Sequence, residues 1–284
     1  MVPLRYEIGR AKPTNLNMKP QTQGERLFLL LRDELLEASG HGHIRWSNLG
    51  RLFDQVGGRP EFGDYLRGSA AVHLMRRLLR FWEAERLLTS QESQYIKKVA
   101  SYIRDEALSS LGDDDTFRLA RSVVEAERSC NQTTSRNVRR TLISGRHQVN
   151  CYLCQSSLNP SAPEGQPDHL TLEHLWPQSV GGDSIEENLL PACTRCQITT
   201  KDTMSWEWFN IHNVVLPPSA SAGALASVTR KGHFARHCFE AMQLADMKKL
   251  SLKEAFTALG PIRQPVGSVS TGGPTTFFDL ETTT

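Results

Sequence analysis

The chain has six cysteines, four of them in two tight pairs: Cys151-Tyr152-Leu153-Cys154 and Cys193-Thr194-Arg195-Cys196. Cys130 and Cys238 stand alone. A Cys-x-x-Cys turn lets two thiolates reach one ion, and two such knuckles complete a tetrahedral Zn²⁺ site. Four sulfurs close the coordination sphere, so that ion would hold the fold together and leave no position for water. Reactive thiols or buried reduced cysteines are the competing readings of the same residues. Six cysteines in 284 residues are too few for a disulfide scaffold.

Chemistry must therefore come from the insert between the knuckles, Gln155 to Ala192, which is long for a compact zinc module. The apolar segment Leu170-Thr171-Leu172 ends at an adjacent carboxylate and imidazole, Glu173-His174. Pro177, the pair Gly181-Gly182 and the run Asn188-Leu189-Leu190 follow in that order. With zinc knuckles on either side, this succession resembles the HNH nucleases, which share the ββα-metal fold. The resemblance covers about Gln148 to Trp208. It implies that Glu173 is the first ligand of a catalytic metal and His174 the general base. Asn188 takes the middle position, which braces the base-bearing loop. The last metal position falls on Gln197, where the family usually has His or Asn; glutamine still offers a carbonyl oxygen, on a longer arm.

The chemistry of these residue types agrees. Hydrolysis of a phosphodiester needs an activated water, relief of charge on the pentavalent phosphorus and help for the departing oxygen. An imidazole with a pKa of about 6.5 can take the proton of the water at neutral pH. A hard cation such as Mg²⁺ or Mn²⁺, held by only one or two protein oxygens, keeps positions open for phosphate oxygens and water. The catalytic reading requires the imidazole and the neighbouring carboxyl to converge on one scissile linkage.

Arg136, Arg139, Arg140 and Arg146 form a basic run just ahead of the first knuckle, with no acidic residue from Ser129 to Asn150. The run reads either as a solvated helix face or as a salt-sensitive contact to a phosphate backbone. Arg195 and Lys201 are further candidates for phosphate contact. Asp168-His169 is a second acidic-histidine pair, but Pro177 and the glycine pair stand at the family's distance from His174. His233 and His237 lie four apart, without a nearby third ligand. Trp176 is expected to pack under the loop, and Trp206 and Trp208 to cover the zinc module.

Apolar residues recur at helical spacing from about Thr22 to Ser144, and nothing alternates long enough to suggest a sheet. The stripes are Leu27–Leu36, Ile44–Val56, Tyr65–Leu88 with a break at Gly68, Gln91–Leu111, and a helix after Asp113-Asp114-Asp115. That acidic triplet reads as an N-cap with charges suited to the positive end of a helix. From Gln148 the texture changes to short extended pieces that suggest a hairpin. A helix is expected to start near Asn188 and run through the second cysteine pair. A last amphipathic stretch contains Phe234, Phe239, Met242, Leu244 and Met247, followed by Leu252–Leu259.

The fold class expected is mainly α: a helical N-terminal domain plus a small zinc-stabilised ββα-metal module. The expected division is an extension over 1–21, a helical domain over 22–144, the nuclease module over 145–216, a linker with C-terminal helices over 217–260 and a flexible tail over 261–284. Lys plus Arg number 33 against 31 acidic residues, a net charge of +2, so the overall balance does not point to a nucleic-acid partner. No stretch approaches the roughly 18–20 apolar residues of a membrane helix, and Met1 to Glu7 lack the basic start and apolar core of a secretory signal, so a cytoplasmic location is expected. The resemblance implies DNA as substrate and an effector role in restriction or anti-phage defence. By analogy alone, the helical half would dock a protein partner or a second copy. The rival reading is a non-catalytic zinc module that binds nucleic acid or a protein through the same cysteines and Arg136 to Arg146.

Overall fold

The computed structural model describes residues 15–36, 60–86, 92–131, 136–143, 149–200, 234 and 237–262. The predicted helix over Ile44–Val56, Arg146, Lys201, Trp206, Trp208, His233 and the tail beyond 262 lie outside the described residues. Among the described residues the chain is mainly helical, as its periodicity predicts.

Helix α1 (Gln23–Leu29) starts where Thr22 and Glu25 cap each other. Thr22 Oγ1 accepts from the Glu25 amide at 3.0 Å, and Glu25 Oε2 accepts from the Thr22 amide at 2.7 Å. This reciprocal pairing satisfies two amides that the first turn would otherwise leave open. The helix widens into a π-helical segment, Leu30–Leu35, whose buried face includes Leu30, Leu31 and Leu35. Helix α2 (Pro60–Arg86) runs through Gly68 without a break. Helix α3 (Glu92–Tyr102) continues into a second π-helical segment, Ile103–Ala107. In helix α4 (Asp113–Cys130) the N-cap is Gly112, not an aspartate, and all three aspartates lie in the first turn. Their charges suit that end of the helix, and Asp113 and Asp115 pair with Arg104 and Arg118. Leu119, Ala120, Val123 and Val124 form the buried stripe of α4, while Phe117 is 37 % exposed. Helix α5 (Arg136–Ile143) carries the basic run.

The extended part is two antiparallel ribbons. Strands β1 (Val149–Asn150) and β2 (Ser157–Leu158) form a short hairpin around the first knuckle. Strand β3 (Leu170–His174) pairs with β4 (Leu189–Cys193), with Leu170 opposite Cys193 and His174 opposite Leu189. The expected helix from Asn188 is thus corrected: Leu189 to Cys193 are strand, and helix α6 (Thr194–Thr200) begins only after Cys193. Pro191 does not prevent the pairing, because both strands of a two-stranded ribbon are edges. Its carbonyl accepts from the Tyr152 amide at 2.9 Å, tying β4 to the first knuckle.

Helix α7 (237–248) and helix α8 (Leu252–Leu259) close the described chain. The buried stripe of α7 is His237, Cys238, Ala241, Met242 and Ala245, and Met247 lies outside it at 74 % exposure. Ser251 and Glu254 form a second capping box at the start of α8.

One continuous apolar core takes side chains from α1 through α4, both ribbons and both C-terminal helices. The Gly24 amide donates to Gly181 O at 2.9 Å and the Gln23 amide to Asp183 Oδ2 at 3.1 Å, which fastens the start of α1 to the loop between β3 and β4. The Lys19 amide donates to Leu250 O at 2.9 Å, and the Ile262 amide to Leu153 O at 2.9 Å. Among the described residues, no helix is long and apolar enough to cross a membrane.

Candidate metal centre and active site

The β1–β2 hairpin brings Cys151 and Cys154 against the end of β4, where Cys193 closes the strand and Cys196 lies in the first turn of α6. All four sulfurs lie within 4.8 Å of one another, and Cys154 Sγ is 3.8 Å from Cys193 Sγ. A zinc ion with Zn–S bonds of about 2.3 Å requires tetrahedron edges of about 3.8 Å. The four residues therefore fit a metal ion such as zinc. Without a cation the thiols must share protons. The hydrogen bond from Cys196 holds Cys151 well below the usual thiol range, and the same bond holds Cys196 high. Burial pushes Cys193 up. A dication replaces those protons and compensates the crowded negative charge. The Cys196 amide also donates to Cys193 Sγ at 3.4 Å.

The loop from Leu175 to Asn188 joins β3 to β4 and is held from inside. Asn188, 2 % exposed, accepts the Trp176 amide at Oδ1 over 2.7 Å. Its Nδ2 donates to Trp176 O at 2.9 Å and to Asp183 O at 2.9 Å. Trp176 is fully buried, as expected of a residue packed under the loop. Its indole donates to Val180 O at 2.9 Å, and its ring meets Phe28 of α1 at 5.2 Å. Gly181 adopts φ +82°, and at Gly182 a β-carbon would lie 1.8 Å from Trp176 O. The glycine pair thus serves the turn itself, one residue through its conformation and the other through close backbone approach.

Glu173 and His174 are the last two residues of β3, and the pleat sends consecutive side chains to opposite faces. Glu173 is 5 % exposed, and its Oε1 accepts from Thr200 Oγ1 of α6 at 2.5 Å. Its charge, after burial, helps to push the Tyr152 hydroxyl and the Cys238 thiol up. His174 is half-buried, with Nε2 3.1 Å from Ser184 Oγ. Glu173 is thus turned to Thr200 of α6 and His174 to Ser184 of the loop.

Gln197 lies one turn before Thr200 on α6, and its backbone carbonyl accepts from the Thr200 hydroxyl at 3.1 Å. Arg195 is exposed and hydrogen-bonds Cys154, which, with the thiolate charges, raises the pKa of its guanidinium further. It therefore sits against the sulfur cluster. Arg136, Arg139 and Arg140 are on α5, where Arg140 is exposed, and α5 packs on the Glu186–Asn188 turn beside the loop. His169 Nδ1 lies 2.7 Å from Ala162 O, so the Asp168-His169 pair is engaged in its own loop. Thr200, Ser184 and Gln178 were not singled out from sequence. Only the helical spacing of Thr200 from Cys196 offered a signal; Ser184 becomes a partner of His174, and Gln178 of Ser184, only when the loop folds.

Among the described residues, the four cysteines are the one group of three or more His, Cys, Asp or Glu placed to share an ion. No family model matches the chain, and no curated protein or solved structure is significantly similar to it.

Proposed function

We propose that the chain is a metal-dependent endonuclease of the HNH type that hydrolyses DNA phosphodiester bonds. The observation that carries this reading is the Asn188 amide, which makes three buried hydrogen bonds to the loop following His174. That is the bracing role the resemblance assigns to this position. Strand, glycine-containing loop, strand and helix also follow one another in the order the family would require.

In this reading His174 accepts a proton from a water whose oxygen attacks phosphorus. The bond to the leaving sugar oxygen breaks in line, and that oxygen takes up a proton. In-line displacement places the entering and leaving oxygens on opposite sides of phosphorus. The carboxylate of Glu173 and the amide of Gln197 supply oxygen donors, which suit a hard cation, and these residues would hold Mg²⁺ or Mn²⁺. Such an ion, when bound, relieves charge on the phosphate and on the leaving oxygen. Cys151, Cys154, Cys193 and Cys196 would hold a structural Zn²⁺. Arg136, Arg139 and Arg140 would contact the DNA backbone. The helical half would couple the nuclease to a protein partner or a second copy, as in defence effectors; this part rests on analogy.

One observation favours a second reading, a non-catalytic zinc module: Glu173 is buried and already bonded to Thr200. Incubation with supercoiled plasmid and Mg²⁺ or Mn²⁺ separates the two. Nicking by the parent protein and none by His174→Ala supports the enzyme. No nicking by the parent, or equal nicking by the variant, rejects it.

A further inference from the structure

The four sulfurs of the cluster differ in what surrounds them. Cys151 and Cys193 are buried, and the backbone serves them. Cys151 Sγ accepts from the amides of Leu153, Cys154 and Cys193, and Cys193 Sγ accepts from the Cys196 amide at 3.4 Å. Cys154 is the exposed corner, and side chains meet it there. Its Sγ lies 3.0 Å from Ser156 Oγ. The Arg195 guanidinium donates to the same sulfur and also feels the charges of Cys193 and Cys196. A metal-bound thiolate carries no proton, so with an ion in the cluster the Ser156 hydroxyl is the donor. Four thiolates outweigh the charge of one dication, which leaves the loaded cluster anionic.

We infer that Arg195 and Ser156 are positioning residues of the metal centre, which hold the Cys154 sulfur in place and make the ion harder to lose at its exposed corner. Both act through the sulfur rather than on the ion. The guanidinium offsets the excess negative charge. Together with the hydroxyl it gives the solvent-facing thiolate the donors that backbone amides give Cys151 and Cys193. Groups that hydrogen-bond a metal ligand change affinity about 10- to 100-fold. Arg195, whose charge alone suggests a phosphate contact, is thereby assigned to the sulfur cluster. The inference rests on the zinc reading of the four cysteines and not on the nuclease chemistry.

The test is the zinc affinity of the full-length protein, measured by competition with a chelator of known affinity. Arg195→Leu and Ser156→Ala are each expected to bind zinc about tenfold more weakly than the parent. Arg195→Lys, which keeps the charge, should recover most of the loss. Charge at an exposed site is screened, so the gap between the parent and Arg195→Leu should narrow as salt rises from about 0.05 to about 0.5 M. Arg140→Leu removes an exposed arginine of α5 and should leave zinc affinity unchanged. A variant at Arg195 or Ser156 that binds zinc as tightly as the parent overturns the role of that residue, and an equal loss in Arg140→Leu overturns the inference. If Arg195→Leu does not fold, Ser156→Ala and the salt series of the parent still decide. A parent protein without stoichiometric zinc overturns the inference together with the zinc reading. The expected affinities without plasmid nicking by the parent would support the inference and sink the nuclease reading alone.

Discussion

The side chain of Asn188 pairs with the backbone of Trp176 in both directions, accepting its amide proton at 2.7 Å and donating to its carbonyl at 2.9 Å. A third bond, to Asp183 O at 2.9 Å, spans the loop. One buried amide thus replaces the strand partner that the chain lacks where it leaves β3, and it sets the path from His174 to the glycine turn. Asn188→Ala removes all three bonds and strands three buried backbone groups. At about 1–1.5 kcal/mol for each bond, the expected loss is about 3–4 kcal/mol, read as a lower urea midpoint with an unchanged slope. Asn188→Asp keeps an acceptor but loses both donations, and should also be destabilised.

The sulfur cluster predicts one tightly held zinc per chain. Released metal should be detectable on denaturation, and a chelator should lower the thermal midpoint of the parent protein. Cys193→Ser removes a buried ligand at the end of β4. It should abolish stoichiometric zinc and make the protein insensitive to the chelator. Cys238→Ser is the control: Cys238 lies outside the four-cysteine group, so zinc content should not change.

Gly182→Ala places a methyl group where the backbone of Trp176 and Pro177 already stands, 1.8 Å from Trp176 O. Neither atom can move away cheaply, because both belong to the turn that Asn188 holds. The expected cost is about 3 kcal/mol or more, together with a change in Trp176 fluorescence as the indole loses its place under the loop. Gly112→Ala, whose added carbon would meet nothing within 4 Å, should retain the parent fluorescence.

His237 gives a dependence on pH. Burial lowers its pKa in the folded protein, against a weaker opposing effect from its hydrogen bond to the Gly260 backbone. The unfolded chain therefore binds a proton at His237 more readily than the folded one. Stability from this residue is fully present above the unfolded value of about 6.5 and declines as pH falls through it toward the lower folded value. His237→Leu should flatten this acid-side loss in a series of thermal midpoints. An identical slope in parent and variant would rule out the assignment.

The helical periodicity of residues 23–36, 60–86, 92–107 and 113–130 was legible because an amphipathic helix shows its buried face in sequence. The strand β4 was not. Leu189-Leu190-Pro191-Ala192-Cys193 has no alternation to distinguish it from a helix start, and its conformation follows from pairing with β3, a partner some twenty residues away. Gly112 as the cap of α4, in place of an aspartate, was hidden for another reason: acidic residues suit both the cap and the first turn, and only the backbone path tells them apart.

The sequence alone determined the chemistry on offer: four sulfurs as two turn-spaced pairs, a carboxylate beside an imidazole, and an asparagine after a glycine pair. Spacing along the chain decides such local sets, since a knuckle or a strand end needs only a few residues. The tertiary structure decided which side chains meet. It gathered the sulfurs to within 4.8 Å, turned Glu173 inward to Thr200 and His174 toward Ser184, and set Gln178 against the end of α4. Strand alternation and closure of the loop select these partners, and both are fixed by packing between segments distant in the chain.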